Sequence, residues 1–436
     1  MHLKYFIKYL NMAFLKLRNK VKTWSISLIL VFLSIFLISN VSKNISLYNK
    51  QEAVIEWDAI SLYAYLPAFF IYNDIKLDFV QPNGKTGDCS YTIWYSENNK
   101  GQRIIKTSMG VSYMYLPFFL GAHWYSSITN NPTCGYSPIY KIGIIISCLF
   151  YLFLGLFFLR KILLKYYSEL VTSIVLIILL AGTSLSYYSI FLPAYTHIFS
   201  FALVTMFLYF SIKWNEAPRF TYSIALGLLI GVITLIRPTN FLIVLVWILY
   251  NIYNLNSLKL RIKFFFTHYS KILLIAFLAF LTWIPQLIYW KYVTGDFFYY
   301  SYGENERFFF NHPHIIEGLF GFRKGFFIYT PIMIFAFIGL YYYFKQNKAL
   351  AIPIIIYSLL TIYVTLSWWC WWYGGCLGMR PFIDSYAIWC LPLAALINQL
   401  NSQKIGWIIG IYLSMSIFIW FNFMYMKKYR TGGVHF

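Results

Sequence analysis

The chain has 436 residues, 60% of them hydrophobic and only 11% charged, with a mean hydropathy of +0.62. Soluble domains run at about 45–50% apolar and about 25% charged, so a disordered chain, a fibrous protein and an ordinary soluble enzyme are excluded. The net charge is +21, which cytoplasmic loops rich in Lys and Arg explain without nucleic acid. The length admits two or three soluble domains. Apolar segments recur from end to end, however, and the simpler reading is one polytopic transmembrane domain over 1–436.

In chain order, Lys4, Lys8, Lys16, Arg18, Lys20 and Lys22 precede an apolar run from Trp24 to Ile38. No small-x-small cleavage site follows, so the run reads as a retained signal anchor with a cytoplasmic N-terminus. A helix crosses the hydrocarbon core with about 20 apolar residues. Eleven segments are candidates: 24–41, 139–159, 170–188, 196–212, 221–236, 239–254, 272–290, 326–344, 349–367, 385–400 and 405–425. The expected fold is therefore an all-α polytopic bundle of about 11 spans in a bacterial inner membrane. The inner segments 1–23, 160–169, 213–220, 255–271, 345–348 and 401–404 hold eighteen of the 35 Lys and Arg, against Glu169 and Glu216 alone. That asymmetry fits an inside N-terminus. Lys427, Lys428 and Arg430 fall outside under an odd count, which leaves ten or twelve spans open.

The main outer segments are 42–138, 291–325 and 368–384. In the first, 58–72 and 109–124 are apolar and aromatic but too short to span, and read as interfacial helices. Cys89 and Cys134 share this loop and can be bridged if that face is oxidising, or remain thiols. No cysteine pair has zinc-ligand spacing.

Six clusters carry potential chemistry. Glu56-Trp57-Asp58 sets two carboxylates at the head of an apolar helix. A carboxylate partly desolvated there gains basicity, as a general base needs. Asp58 is equally well placed as a helix N-cap, and the two roles are compatible. Lys106 to Gly110 leads into an aromatic stretch ending near His123, which also reads as a plain amphipathic helix. Tyr195-Thr196-His197 stands at an outer membrane edge, where a lone histidine is either structural or a substrate contact. Arg237-Pro238-Thr239-Asn240 puts an arginine at the lipid boundary, as a phosphate fork or as a side chain snorkelling to headgroups. Loop 291–325 carries Lys291, Tyr302, Arg307, Arg323 and Lys324, and its His312-Pro313-His314 lacks a nearby third metal ligand. The run from Trp368 to Pro381 combines four tryptophans, three glycines and Arg380. An aromatic belt accounts for the tryptophans but not for the glycines and arginine, whereas a sugar ring can stack on such faces. No GxGxxG, Walker A, GxSxG or HExxH motif occurs in suitable context, which removes support from ATP-driven transport and soluble-type hydrolysis.

Taken in order, these motifs resemble the GT-C superfamily of polyprenyl-phosphate-sugar-dependent membrane glycosyltransferases, in the protein mannosyltransferase and aminoarabinose transferase branch. The likeness is nearest to members from Bacteroidetes-type bacteria. It rests on Trp57-Asp58 through Tyr63, Tyr65, Leu66 and Pro67, on Gly110 to Phe119, and on Ile236 to Asn240. Tyr300-Ser301-Tyr302-Gly303, Gly325 to Pro331 and Trp371 to Arg380 extend it over most of the chain after Glu52. The resemblance implies a periplasmic-face enzyme that moves a sugar from a polyprenyl-phosphate donor to an acceptor hydroxyl by single displacement with inversion. The acceptor would be a lipid, a glycan or a protein. Asp58 would be the base or position the acceptor. Relatives carry a second acidic residue adjacent to it, whereas here Glu56 stands two positions earlier. Arg237, Arg380, Arg323 and Lys291 would bind donor phosphate; Tyr63, His197, Tyr302 and Trp372 would contact substrate. Some branches use a divalent metal, Mg or Mn, and others use none; Glu56-Trp57-Asp58 does not decide between them. Beyond membrane lipids and these substrates no partner is implied, nucleic acid included. The rival readings are an O-antigen polymerase or ligase, a lipid-linked glycan transporter, and a non-enzymatic membrane subunit.

Overall fold

The computed structural model describes residues 25–48, 54–81, 91, 93–303, 305–400 and 403–431. The basic N-terminal stretch, Cys89 and Glu304 lie outside the described residues. A backbone in hydrocarbon must satisfy its own N–H and C=O groups, and the chain answers with helices. Helix α1 spans Ile26–Tyr48. The segment after it holds α2 (Asp58–Phe70) and α3 (Gly110–Ile128). Between them, β1 (Ser96–Glu97) and β2 (Arg103–Ile104) pair antiparallel, Ser96 opposite Ile104. The bundle continues with α4 (Pro138–Tyr166), α5 (Glu169–Gly182), α6 (Leu185–Phe191), α7 (Thr196–Glu216) and α8 (Phe220–Ile236). A 3₁₀ helix, Pro238–Ile243, then leads to α9 (Val244–Ile248), α10 (Leu255–Thr267) and α11 (Tyr269–Thr294). The last third comprises α12 (Ile315–Phe320), α13 (Phe326–Tyr329), α14 (Met333–Gln346), α15 (Lys348–Leu366), a 3₁₀ helix Arg380–Ser385, α16 (Tyr386–Leu400) and α17 (Ile405–Arg430).

Among the described residues, seven helices are long and apolar enough to cross a membrane, and α5 with α6, bent by 56°, make an eighth if counted as one span. The protein is a multi-pass, all-α membrane bundle. Capping follows local sequence. Ser168 accepts a hydrogen bond from the Val171 amide, Asn347 accepts one from Leu350, and Asn254 forms a reciprocal capping box with Ser257 at the start of α10.

Three expectations need correcting. The expected span 239–254 is not a continuous helix: it is the 3₁₀ turn followed by a five-residue α9. The expected span 326–344 is parted into α13 and α14 around Pro331, which cannot donate to the helical ladder. Helix α2 does not lie amphipathically on an interface, because every residue from Ala59 to Ala68 is buried in protein.

The α8–α11 contact fixes the topology around the first break. Gly227 and Gly231, a small-xxx-small pair, let α11 approach so closely that a Cβ at Gly231 would stand 2.6 Å from Thr282 Cβ, and one at Gly227 2.8 Å from the Ile275 carbonyl. Residue numbers rise together along both helices, so α8 and α11 run parallel. The chain between them therefore returns across the bundle, through the 3₁₀ helix and α9. We expect Gly231→Val to force these helices apart and cost about 1–3 kcal/mol. Thermal unfolding in detergent measures this, and an unchanged Tm would contradict the close approach.

Candidate functional site

Asp58 is the first residue of α2, where the helix dipole favours an anion. It is not a cap: no side-chain capping bond is made at this terminus. Its carboxylate turns instead to Arg380, 322 positions along the chain, whose guanidinium lies 2.7 Å from Asp58 Oδ2. The Asp58 side chain is 54% exposed and that of Arg380 15%. The Arg380 guanidinium rests over the Tyr195 ring at 5.4 Å, and its Nε is buried with no hydrogen-bond partner among the described residues.

Arg380 opens the 3₁₀ helix that also carries Asp384. Asp384 is 1% exposed. A carboxylate so enclosed must be paired and hydrogen-bonded, and three elements supply the partners. His197 Nδ1, from the start of α7, lies 3.0 Å from Oδ1. Arg237, at the end of α8, lies 3.2 Å from Oδ2, and the Asn240 amide donates to the same oxygen at 2.9 Å. Asn240 Nδ2 also donates to Ser200 Oγ at 3.2 Å. The Arg237-Pro238-Thr239-Asn240 run is thus folded around one acceptor. Arg237 in turn lies over the Tyr373 ring at 5.8 Å. A cleft opens beside it, lined by Arg237, Thr239, Asn240, Tyr357, Thr361 and Ser385.

The loops on this face are zipped together. The Trp369 amide donates to the Arg307 carbonyl at 3.0 Å and the His314 amide to Leu366 at 2.9 Å. Trp368 packs against Phe308 at 4.7 Å and Tyr302 at 5.8 Å. Lys106 pairs with Glu306 at 2.8 Å, and the Ser301 hydroxyl donates to the Lys106 carbonyl. Tyr302 is thereby brought beside Asp58. Its phenol is pushed up to about 12, first by desolvation and next by the Asp58 carboxylate. At the base of this assembly, Gln286 of α11 accepts from the Met109 amide at 2.8 Å and Tyr289 from Ile105 at 2.8 Å. A Cβ at Gly110 would stand 2.4 Å from the Ile236 nitrogen, so only glycine lets α3 begin against the backbone that precedes Arg237.

The other expected site residues are placed differently. Tyr63 faces an aromatic cluster of Tyr115, Phe119 and Tyr136 and donates to the Gly135 carbonyl at 2.5 Å, so it supports α2 from behind. His197, 3% exposed, is occupied by Asp384 rather than open to a substrate. Lys291 reaches its own helix end, 2.6 Å from the Gly295 carbonyl, and joins none of these groups. Arg323 lies over Trp372 at 3.8 Å, pairing two expected residues with each other. Glu56 lies near Tyr91 and Tyr195, whose phenols it helps to raise. Asp384 was missed. Its signal was an acidic residue one position before a predicted span, inside an otherwise apolar run. The buried Lys324, which donates to the Cys376 carbonyl, was seen only as one loop charge among many.

Among the described residues no three His, Cys, Asp or Glu side chains gather as metal ligands. Beside Asp58 stand Arg380, which already holds its Oδ2, and Glu56 two positions earlier, so the described residues there offer fewer than three metal ligands. Comparison of the chain with protein-family models and with curated proteins finds no match.

The two carboxylates have separable roles. Asp384→Asn leaves the mostly buried Arg237 without its counter-charge and is expected to cost about 3–5 kcal/mol. Asp58→Asn leaves the largely enclosed Arg380 without its counter-charge but removes a carboxylate that is 54% exposed, and should cost less than Asp384→Asn. Parallel denaturation in detergent tests this, and equal losses would contradict the division.

Proposed function

We propose that the protein is a GT-C-type membrane glycosyltransferase, which moves a sugar from a polyprenyl-phosphate donor to an acceptor hydroxyl. The observation that carries this reading is the contact between Asp58 and Arg380 at 2.7 Å, with Arg237 attached to the same 3₁₀ helix through Asp384. It joins a half-exposed carboxylate to two guanidinium groups at one end of the bundle, and that pairing of base and anion binders is what such a transfer requires.

In the proposed step the acceptor oxygen attacks the anomeric carbon, and its proton passes to an Asp58 oxygen. The anomeric carbon–phosphate oxygen bond breaks, and its electron pair leaves on the phosphate. Arg380, whose Nε has no partner among the described residues, and Arg237 stabilise that charge. One displacement inverts the anomeric centre, and no second carboxylate nucleophile is needed, unlike a retaining hydrolase. At rest Asp58 is paired with Arg380, and in the proposed step donor phosphate takes over that guanidinium.

We read eleven passages of the membrane, the α13–α14 pair and the broken segment after Arg237 each counting as one. Cys134, in the segment between α3 and α4, is disulfide-bonded. Disulfides persist in oxidising compartments, which supports a periplasmic position for this face, hence a cytoplasmic N-terminus in a bacterial inner membrane.

Asp58→Asn is expected to lower sugar transfer by purified protein at least about a hundredfold while Tm is retained. Turnover at the wild-type rate would remove Asp58 from the mechanism. Arg237→Lys keeps a charge on Asp384 but loses the planar fork, and should weaken donor-lipid binding about tenfold. Unchanged donor affinity, measured by titration with a polyprenyl phosphate, would move the phosphate site away from Arg237.

A further inference from the structure

Next to Asp58 stands a feature the displacement chemistry does not use. Trp57 is 63% exposed and Trp94 42%, and the two indoles meet with centroids 5.5 Å apart and planes at 70°. Each follows closely on a buried isoleucine: Ile55, two positions before Trp57, is 0% exposed and Ile93, directly before Trp94, 1%. The two backbones are also tied together, because the Tyr91 hydroxyl donates to the Ile55 carbonyl and the Tyr91 ring stacks on Tyr136 at 4.2 Å. Trp57 adopts φ 53°, a left-handed conformation unfavourable for a bulky side chain. The fold thus anchors the chain close to these indoles and accepts local strain at Trp57, yet leaves both rings outside. Trp94 belongs to the segment leading into the β1–β2 hairpin, where Glu97 ends β1 and the turn carries Asn98, Asn99 and Lys100, a polar setting unlike a lipid-facing stretch. Exposed aromatic surface on rigid support marks a binding site.

Two flat apolar faces set at a steep angle form a corner that matches the C–H face of one pyranose ring, while the ring's hydroxyls stay in water. Asp58 follows Trp57 directly, and Glu56 precedes it. Carboxylate oxygens on both sides of Trp57 can accept hydrogen bonds from a sugar's hydroxyls. We infer that Trp57 and Trp94 form an acceptor subsite, which stacks one sugar ring of a glycan acceptor and presents its hydroxyl to Asp58. This rests on the transferase reading above, and it narrows the acceptor from lipid, glycan or protein to a glycan.

Fluorine NMR on the full-length protein, labelled with fluorotryptophan in detergent and assigned with Trp57→Phe and Trp94→Phe, tests the inference. The probes are methyl glycosides of mannose, galactose and N-acetylglucosamine. We expect the two indole resonances to shift together and saturably with at least one of these neutral glycosides. Trp57→Ala should weaken that binding about tenfold, and Trp57→Phe should restore most of it. In a transfer assay Trp57→Ala should raise the acceptor KM about tenfold with kcat within about twofold. Resonances that ignore every neutral glycoside, or that are broadened only by a spin-labelled lipid headgroup, would overturn the inference. The two readings fail differently. Glycoside binding without transfer under any donor would sink the transferase, whereas transfer lost in Asp58→Asn but indifferent to Trp57→Ala would sink the subsite alone.

Discussion

A carboxylate with 1% of its surface exposed cannot stay ionised inside an apolar bundle unless the chain brings it partners. Asp384 imposes that condition. His197, Arg237 and Asn240 meet it from the start of α7, the end of α8 and the following 3₁₀ helix. Three chain segments are thereby pinned to a fourth. Arg380, at the first position of the same short helix, is thereby placed where its guanidinium meets Asp58. The half-exposed pair at the surface is thus placed by the enclosed network beneath it.

The loop segments at this end of the bundle complete the arrangement with a different kind of force. They share few backbone ladders beyond the β1–β2 pair and an isolated bridge between Phe308 and Trp368. Aromatic packing and buried cations hold them instead. Lys324, fully enclosed, anchors the Cys376 carbonyl, and Arg323 lies over Trp372. These two contacts fix the glycine-rich run that ends at Arg380. Within that run Gly378 adopts φ 60° with Tyr329 close beneath it, so the segment needs glycine to turn back toward the bundle.

Much of this was legible because the bilayer sets a length. Hydropathy located the long helices, with ends off by up to seven residues: the segment expected at 272–290 is α11, Tyr269–Thr294, and that expected at 139–159 is α4, Pro138–Tyr166. Legibility failed where length stopped deciding. Residues 239–254 are apolar enough to span, but Pro238 and the hydrogen bonds of Asn240 draw the chain into a 3₁₀ turn. The juxtaposition of Asp58 with the two arginines was expected from motif order, yet its linchpin was not. Asp384 looked like a loop carboxylate, because the span beginning at 385 was taken one turn too short. Tyr63 and Lys291 were named for chemistry through the motif likeness; their directions, into an aromatic cluster and onto a helix end, are consequences of packing that no linear pattern reports.

The functional account asks one thing of the site: that the anion of a lipid-linked donor settle between Arg380 and Arg237 while Asp58 stays free to take a proton. An electron cryo-microscopy structure with a polyprenyl phosphate added tests that directly. The account predicts phosphate oxygens within hydrogen-bond distance of Arg380 Nε and of the Arg237 guanidinium, with the Asp58–Arg380 contact opened. A headgroup seated elsewhere on the protein, with that contact still closed, would contradict it.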